Sequence, residues 1–288
     1  MESVVVIVIA APGSGAIDGN AVARLHDAGC KPITWLSPGE ALETAAGGGA
    51  ATVRAAVAGL PLDVAEVPSS NRRKRLLIAD MDSTMIQQEC IDELGIVAGA
   101  GERISAITAR AMRGELDFEG ALKERLTLLK GLDARVNGQI IRERITYMPG
   151  GPTLVATMKR HGARTALVSG GFRQFTGAVA AHLGFDSHEA NDLIIEAGKL
   201  AGTVREPILG KHDKVAALRR IAAEIGATSA DVIAVGDGAN DVAMLIEAGL
   251  GVALHAKPKV QEQARIAINH GDLTALLFLQ GYRRRDFA

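Results

Sequence analysis

The chain has 288 residues, a formal net charge of −1 and 48% hydrophobic residues. That balance gives no general pull toward nucleic acid or an anionic membrane surface, and the length exceeds the usual size of one domain, so two are expected. Two cysteines, Cys30 and Cys90, make no disulfide framework and form no CxxC pair, which points to a reducing, cytoplasmic setting.

The first apolar run, Val4 to Ala11, is too short to span a bilayer and is preceded by Glu2 rather than by a cationic leader. It predicts a strand. Residues 1–67 continue with β-like runs (Ile33 to Leu36, Leu62 to Val67) alternating with helical stretches (Ala21 to Ala28, Thr52 to Ala58), which predicts a small α/β domain over residues 1–70. Pro68 to Arg75 is polar and basic, a linker by composition. Its Arg72, Arg73, Lys74 and Arg75 read as a solvated face rather than a nucleic-acid patch, as does the closing Arg283-Arg284-Arg285.

Leu76 to Thr84 is the most informative stretch, because a buried strand runs directly into Asp80 and Asp82 and then into two hydroxyls. Residues i and i+2 of an extended chain point the same way, so both carboxylates face one small volume. Such a pair repels itself unless Mg²⁺ intervenes or one carboxyl has a raised pKa. Gln88 to Met148 carries helix periodicity, with Leu122, Leu126 and Leu129 on an apolar stripe.

Thr165 to Gly171 is a second strand, opening into Ser169, Gly170 and Gly171, a cradle in which backbone N–H groups can approach an anion. Asn191 to Val204, with Gly198 and Gly202, predicts a hairpin. Gly210-Lys211-His212-Asp213-Lys214 heads an amphipathic helix, with Lys211 at a start that favours phosphate. Asp231 to Gly238 is a third strand ending in an acid, Asp237, followed by Asn240 and by Asp241, which is placed to support the site from behind. Leu276 to Leu279 reads as the apolar end of a last helix. The seven histidines show no paired metal spacing.

Strand-Asp-x-Asp, strand-Ser-Gly, a helix-start Lys and strand-Gly-Asp-Gly-x-x-Asp, in that order, resemble the four motifs of the haloacid dehalogenase superfamily. Asp80-Met81-Asp82-Ser83-Thr84 and Gly236-Asp237-Gly238-Ala239-Asn240-Asp241 are most similar to its phosphoserine-hydrolysing branch. The likeness continues in Glu89, in Arg110-Ala111-Met112-Arg113-Gly114, in Phe118 and in Leu122 to Leu129, and covers residues 72–288.

The resemblance implies an α/β fold with a Rossmann-like parallel sheet over residues 71–288 and a helical cap inserted at about 88–148. It implies a small-molecule phosphomonoester, phosphoserine, as substrate in a cytoplasmic serine-biosynthetic enzyme, with no nucleic-acid or membrane partner. Asp80 is then the nucleophile and Asp82 the acid and base, with Mg²⁺ held by Asp80, Asp237 and the Asp82 backbone carbonyl. Ser169, Gly170 N–H and Lys211 would hold the phosphoryl oxygens, with Asn240 a further donor. In the cap, Met112, Phe118 and Arg125 would surround the substrate, Arg125 for the α-carboxylate, while Glu89 faces the α-ammonium. Residues 1–70 resemble, in pattern and position, an ACT-like regulatory domain. The catalytic motifs leave open transfer to an alcohol instead of water, and the sequence leaves the oligomeric state open.

Overall fold

A computed structural model of the protein describes residues 3–112 and 115–288; Arg113, Gly114 and the side chain of Met112 lie outside the described residues. The chain begins β1 (Val4–Ala10), α1 (Gly19–Asp27), β2 (Ile33–Ser37), β3 (Ala41–Thr44), α2 (Gly49–Ala56) and β4 (Leu62–Pro68). It continues with β5 (Leu76–Ala79) and four helices, α3 (Cys90–Val97), α4 (Gly101–Met112), α5 (Phe118–Thr127) and α6 (Val136–Glu143). Then come α7 (Gly151–Arg160), β6 (Arg164–Phe172), α8 (Arg173–Leu183), β7 (Ser187–Asn191), β8 (Leu193–Glu196), β9 (Lys199–Val204) and α9 (Lys211–Glu224). The last elements are β10 (Val232–Gly236), α10 (Val242–Glu247), β11 (Leu250–Leu254), α11 (Pro258–Gln261), β12 (Ile266–Ile268) and α12 (Ala275–Leu279).

Six strands form one sheet in the order β12-β11-β10-β5-β6-β7. Its pairs β10–β11, β11–β12 and β6–β7 are parallel. Leu76 to Ala79 and Val232 to Val235 are fully buried, as expected of parallel strands covered on both faces and written as continuous apolar runs. Open α/β sheets bind ligands beyond the carboxyl ends of their strands. Asp80 follows β5 there, and Asp237 follows β10.

The chain divides into two compact units, the first comprising Met1–Ile78, Pro149–Thr165 and Leu218–Ala288. In it β1 to β4 form an antiparallel sheet ordered β2-β3-β1-β4, which with α1 and α2 makes the β-α-β-β-α-β ferredoxin-like arrangement. The sequence reading missed β3, a four-residue strand too short to show a period. From Val6 to Ala10, β1 is buried on both faces. Val6, Val8 and Ala10 pack with Leu25 and Val53 in one cluster, while Ile7 and Ile9 are equally buried, Ile9 lying beside Gly271. On β4, the buried Asp63 carboxylate accepts the three successive N–H groups of Asn269, His270 and Gly271 at 2.8, 3.0 and 2.8 Å.

The segment Pro68 to Arg75, expected as a solvated linker, is exposed at Ser69, Ser70, Asn71, Arg73 and Arg75, but Arg72 and Lys74 are drawn inward. Arg72 pairs with Glu43 at 2.8 Å and donates to the Leu279 carbonyl at 3.3 Å. Lys74 is buried with its ammonium on the carbonyls of Asn71 and Ala230, at 2.6 and 2.7 Å. Arg75 donates to Ile225 and Gly226, just past α9, where carbonyls of a helix end favour a cation. Their partners lie far away in sequence, so composition alone could not show that these charges are satisfied internally.

The second unit, Ala79–Met148 with Ala166–Ala217, holds the helical insertion. Leu122, Leu126 and Leu129 are buried as the stripe predicts, together with Leu94, Ile104 and Ile140. Ile104 sits so tightly against Gly95 that a Cβ there would stand 2.5 Å from its Cδ1. The expected hairpin is β8–β9, and β9 packs on α5.

Candidate active site

Within the second unit the site begins at Asp80, a carboxylate only 5% exposed. Its Oδ1 lies 2.7 Å from Nζ of Lys214, whose side chain is fully buried. An ammonium placed so deeply needs a paired charge, and Asp80 supplies it. Lys211, expected at this position, instead lies exposed at the first residue of α9. The correction is one helical turn: the buried amine belongs to Lys214, which shares a face with the buried Leu218 and Ile221.

Asp82 is held by the N–H of Cys90, the first residue of α3, which donates to its Oδ1 at 3.1 Å. Burial pushes its carboxyl well above the usual aspartate range; the neighbouring Glu89 and Asp80 carboxylates act the same way, and the Cys90 hydrogen bonds oppose them. Across from it runs Ser169-Gly170-Gly171. A Cβ on Gly171 would stand 2.6 Å from Oδ2 of Asp82 and 3.1 Å from Oγ of Ser169, so only glycine lets the carboxylate and the hydroxyl approach this backbone. The Ser169 Oγ accepts the Gly171 N–H at 2.9 Å, which leaves its proton to donate. Asn191 fixes the far side, donating to the Gly170 carbonyl at 2.9 Å and accepting the Leu209 N–H at 2.7 Å.

The residues expected to surround the substrate lie in the same unit. Phe118, the first residue of α5, covers the glycine backbone: a Cβ on Gly170 would lie 3.0 Å from its Cζ. Glu89 precedes α3 and accepts a hydrogen bond from Ser83 Oγ at 2.7 Å. Burial raises its carboxyl above the usual range; the Ser83 bond and the Arg125 guanidinium oppose that, while Asp80 and Asp92 add to it. Arg125, on α5, donates Nε–H to the Ala121 carbonyl at 3.1 Å. Its guanidinium is surrounded by the charges of Asp92, Glu89 and Asp82, which counter the loss of proton affinity caused by burial. Met112 ends α4, but its side chain is outside the described residues.

In the first unit, Asp241 precedes α10 and accepts the Gly238 N–H at 3.0 Å. Gly236 is required beneath it, since a Cβ there would be 2.4 Å from its Cγ. Asn240 lies against the same turn, its Oδ1 2.3 Å from where a Gly238 Cβ would be. Asp237, next after β10, and Asp241 each offer a carboxylate oxygen to a metal ion in this unit. Oxygen-only donors of this kind suit a hard divalent cation. Sequence reasoning gave no role to Lys214, Cys90, Ser83 or Asn191. For Lys214 a signal existed in its apolar helical face; for the others the partner is fixed by the turn of the chain, not by a motif.

A parallel sheet with Asp80, Asp82, Ser169 and a buried lysine at one end defines a class of phosphomonoester hydrolases. The chain belongs to the haloacid dehalogenase-like hydrolases, whose pattern matches residues 77–245. It is 47% identical over 220 residues to a phosphoserine phosphatase of Haemophilus influenzae, covering 76% of this chain and 70% of that one. Four other curated phosphoserine phosphatases are 43% identical, and the matched stretches span 52% to 63% of their lengths. A probable phosphoserine phosphatase from Vibrio cholerae superposes with a TM-score of 0.81 at 31% identity, over 98% of this chain and 88% of that one. A substrate-bound phosphoserine phosphatase superposes with a TM-score of 0.67 at 40% identity, over 71% and 97%. Within the family the chain groups with the phosphoserine phosphatases. Among the described residues no helix is long and apolar enough to cross a membrane.

Proposed function

We propose that the chain hydrolyses O-phospho-L-serine to L-serine and phosphate through a phosphoenzyme on Asp80, with Mg²⁺ as its ion, as a cytoplasmic enzyme closing serine biosynthesis. The observation that carries this reading is the Asp80–Lys214 pair beside Asp82, whose carboxyl pKa is raised by burial, with Arg125 near enough to Glu89 to act on it electrostatically. Asp80 and Asp237, with the backbone carbonyl of Asp82, would hold Mg²⁺, Asp241 bracing the Gly236 to Gly238 turn; carboxylate oxygens suit such an ion. When bound, the ion neutralises charge on the phosphoryl oxygens.

The rest follows from side chains. A carboxylate of Asp80 attacks phosphorus in line, while the Asp82 carboxyl gives its proton to the departing serine alkoxide. Asp82, now ionised, takes a proton from the water that attacks the aspartyl-phosphate, and phosphate leaves as Asp80 is regenerated. Lys214, in place of the expected Lys211, pairs with Asp80 and offers its ammonium to the phosphoryl group. The Ser169 hydroxyl and the Gly170 N–H are further donors, with Asn240 at the rim.

Substrate choice rests on a zwitterion needing both signs. Arg125 meets the α-carboxylate and Glu89 the α-ammonium, with Phe118 and Met112 packing over the short side chain. The test is a panel of phosphomonoesters assayed with Mg²⁺. Phosphoserine should give the highest kcat/KM by a wide margin; a flat panel, or preference for an ester without an amino-acid head, would overturn the assignment.

We further propose the division of labour read from sequence: residues 1–70 as an ACT-like regulatory domain and 71–288 as the catalytic domain, its cap at about 88–148. The β-α-β-β-α-β order of the first segment supports that reading. Serine should change the rate of the intact chain in a manner that competition with phosphoserine does not explain; purely competitive inhibition would remove the regulatory role.

A further inference from the structure

The turn between β5 and α3 closes on itself in a crossed pattern. Asp82 accepts the Cys90 N–H, and the adjacent Ser83 donates its hydroxyl to Oε1 of the adjacent Glu89, at 3.1 and 2.7 Å. The Ser83 N–H also donates to the Gln88 carbonyl at 3.2 Å. Ser83 reaches these partners from a left-handed backbone, φ 52°, one of four such non-glycine residues among the described residues. That conformation is unfavourable for an L residue and persists where the surroundings over-determine it.

Glu89 precedes α3 and makes no side-chain bond to that helix end. Its carboxylate is therefore not acting as a helix cap, and Ser83 decides where Oε1 points. Arg125 is near enough to act electrostatically on the same carboxylate. Without the Ser83 hydroxyl the carboxylate would be free to turn away from the space where a substrate ammonium must sit.

We propose that Ser83 is a positioning residue for substrate recognition, its hydroxyl holding the Glu89 carboxylate in the orientation that receives the α-ammonium. The inference rests on the reading of Glu89 as the ammonium partner and goes beyond it: one hydroxyl ties the specificity residue to the turn that carries the catalytic Asp82.

The test is Ser83→Gly, which removes the hydroxyl yet accepts positive φ without strain, so the fold should persist; Ser83→Ala is the control for backbone strain. Kinetics are compared on phosphoserine and on p-nitrophenyl phosphate, which has no ammonium. Ser83→Gly should cut kcat/KM for phosphoserine about tenfold, mainly through KM, as loss of a hydrogen bond to a charged group does, and leave the aryl ester nearly unchanged. In a Glu89→Gln background the same change should add little, because the two act through one contact. Equal losses on both esters, a loss confined to kcat, or full additivity with Glu89→Gln would overturn the proposal while phosphoserine remained the preferred substrate. A wild-type enzyme with no preference for phosphoserine would instead overturn the reading of Glu89, and this inference with it.

Discussion

Lys214 places its ammonium 2.7 Å from Oδ1 of Asp80, both groups buried. A buried cation and anion in contact satisfy each other, whereas removing either one leaves an uncompensated buried charge. Lys211, a turn away and exposed, has no such task.

The two lysines separate in a mutational comparison. Lys214→Met should lower kcat by about a hundredfold or more, the cost of removing one preorganised charge at the reacting group. Lys211→Ala should stay within about twofold of wild type, as for most exposed positions. Circular dichroism on both variants checks folding, and comparable losses from the two would contradict the assignment.

Gly171→Ala tests the close approach of Asp82 to the phosphate cradle. The added Cβ would stand 2.6 Å from Oδ2, so the acid must shift. Turnover should fall toward that of Asp82→Asn, which loses about a hundred- to ten-thousand-fold as the proton donor disappears. A Gly171→Ala enzyme of normal rate would show that Asp82 has room to spare.

These contrasts indicate how much of the site could be read from residues alone. The apolar runs leading to Asp80, Ser169 and Asp237 were legible because a buried apolar run that meets a polar residue is a strong local signal. Lys214 was hidden by Lys211, since both lie in the first turns of one helix and the choice depends on how α9 is rotated. Its spacing of four and seven residues from Leu218 and Ile221 carried the answer. The three carboxylates around Arg125 and the hold of Asp63 on residues 269–271 were not legible, because they join segments whose approach is set by the fold as a whole. The same reason hid the internal partners of Arg72 and Lys74.

Arg125→Ala should weaken phosphoserine by roughly 1.5–3 kcal/mol in kcat/KM, typical of a hydrogen bond to a charged group, and spare an aryl phosphate that lacks a carboxylate. Equal losses on both esters would assign Arg125 to the phosphoryl group or to the fold.

A pH effect on stability is expected at a distance from the site. Glu247 accepts two bonds from Arg219, at 2.9 and 2.7 Å, and one from Ser229 at 2.6 Å. Those partners hold its carboxyl down at about 2, from an ordinary 4.5. A depressed acid stabilises the fold above its unfolded pKa and loses that contribution as pH falls from about 4.5 toward 2. Glu247→Gln should therefore destabilise at pH 7, by no more than about 1 kcal/mol because the Arg219 side chain is largely exposed. The gap from wild type should close by pH 2–3 in denaturant titrations. A gap that is constant with pH would exclude the ion pair as its source.

The most direct test of the account is to find where the phosphoryl group goes. Acid quenching of the enzyme during turnover of phosphoserine, borohydride reduction of the acyl phosphate and peptide mass spectrometry should place the reduced residue at Asp80, with none formed by Asp80→Asn. Label at any other residue, or turnover by Asp80→Asn at the wild-type rate, would contradict the mechanism.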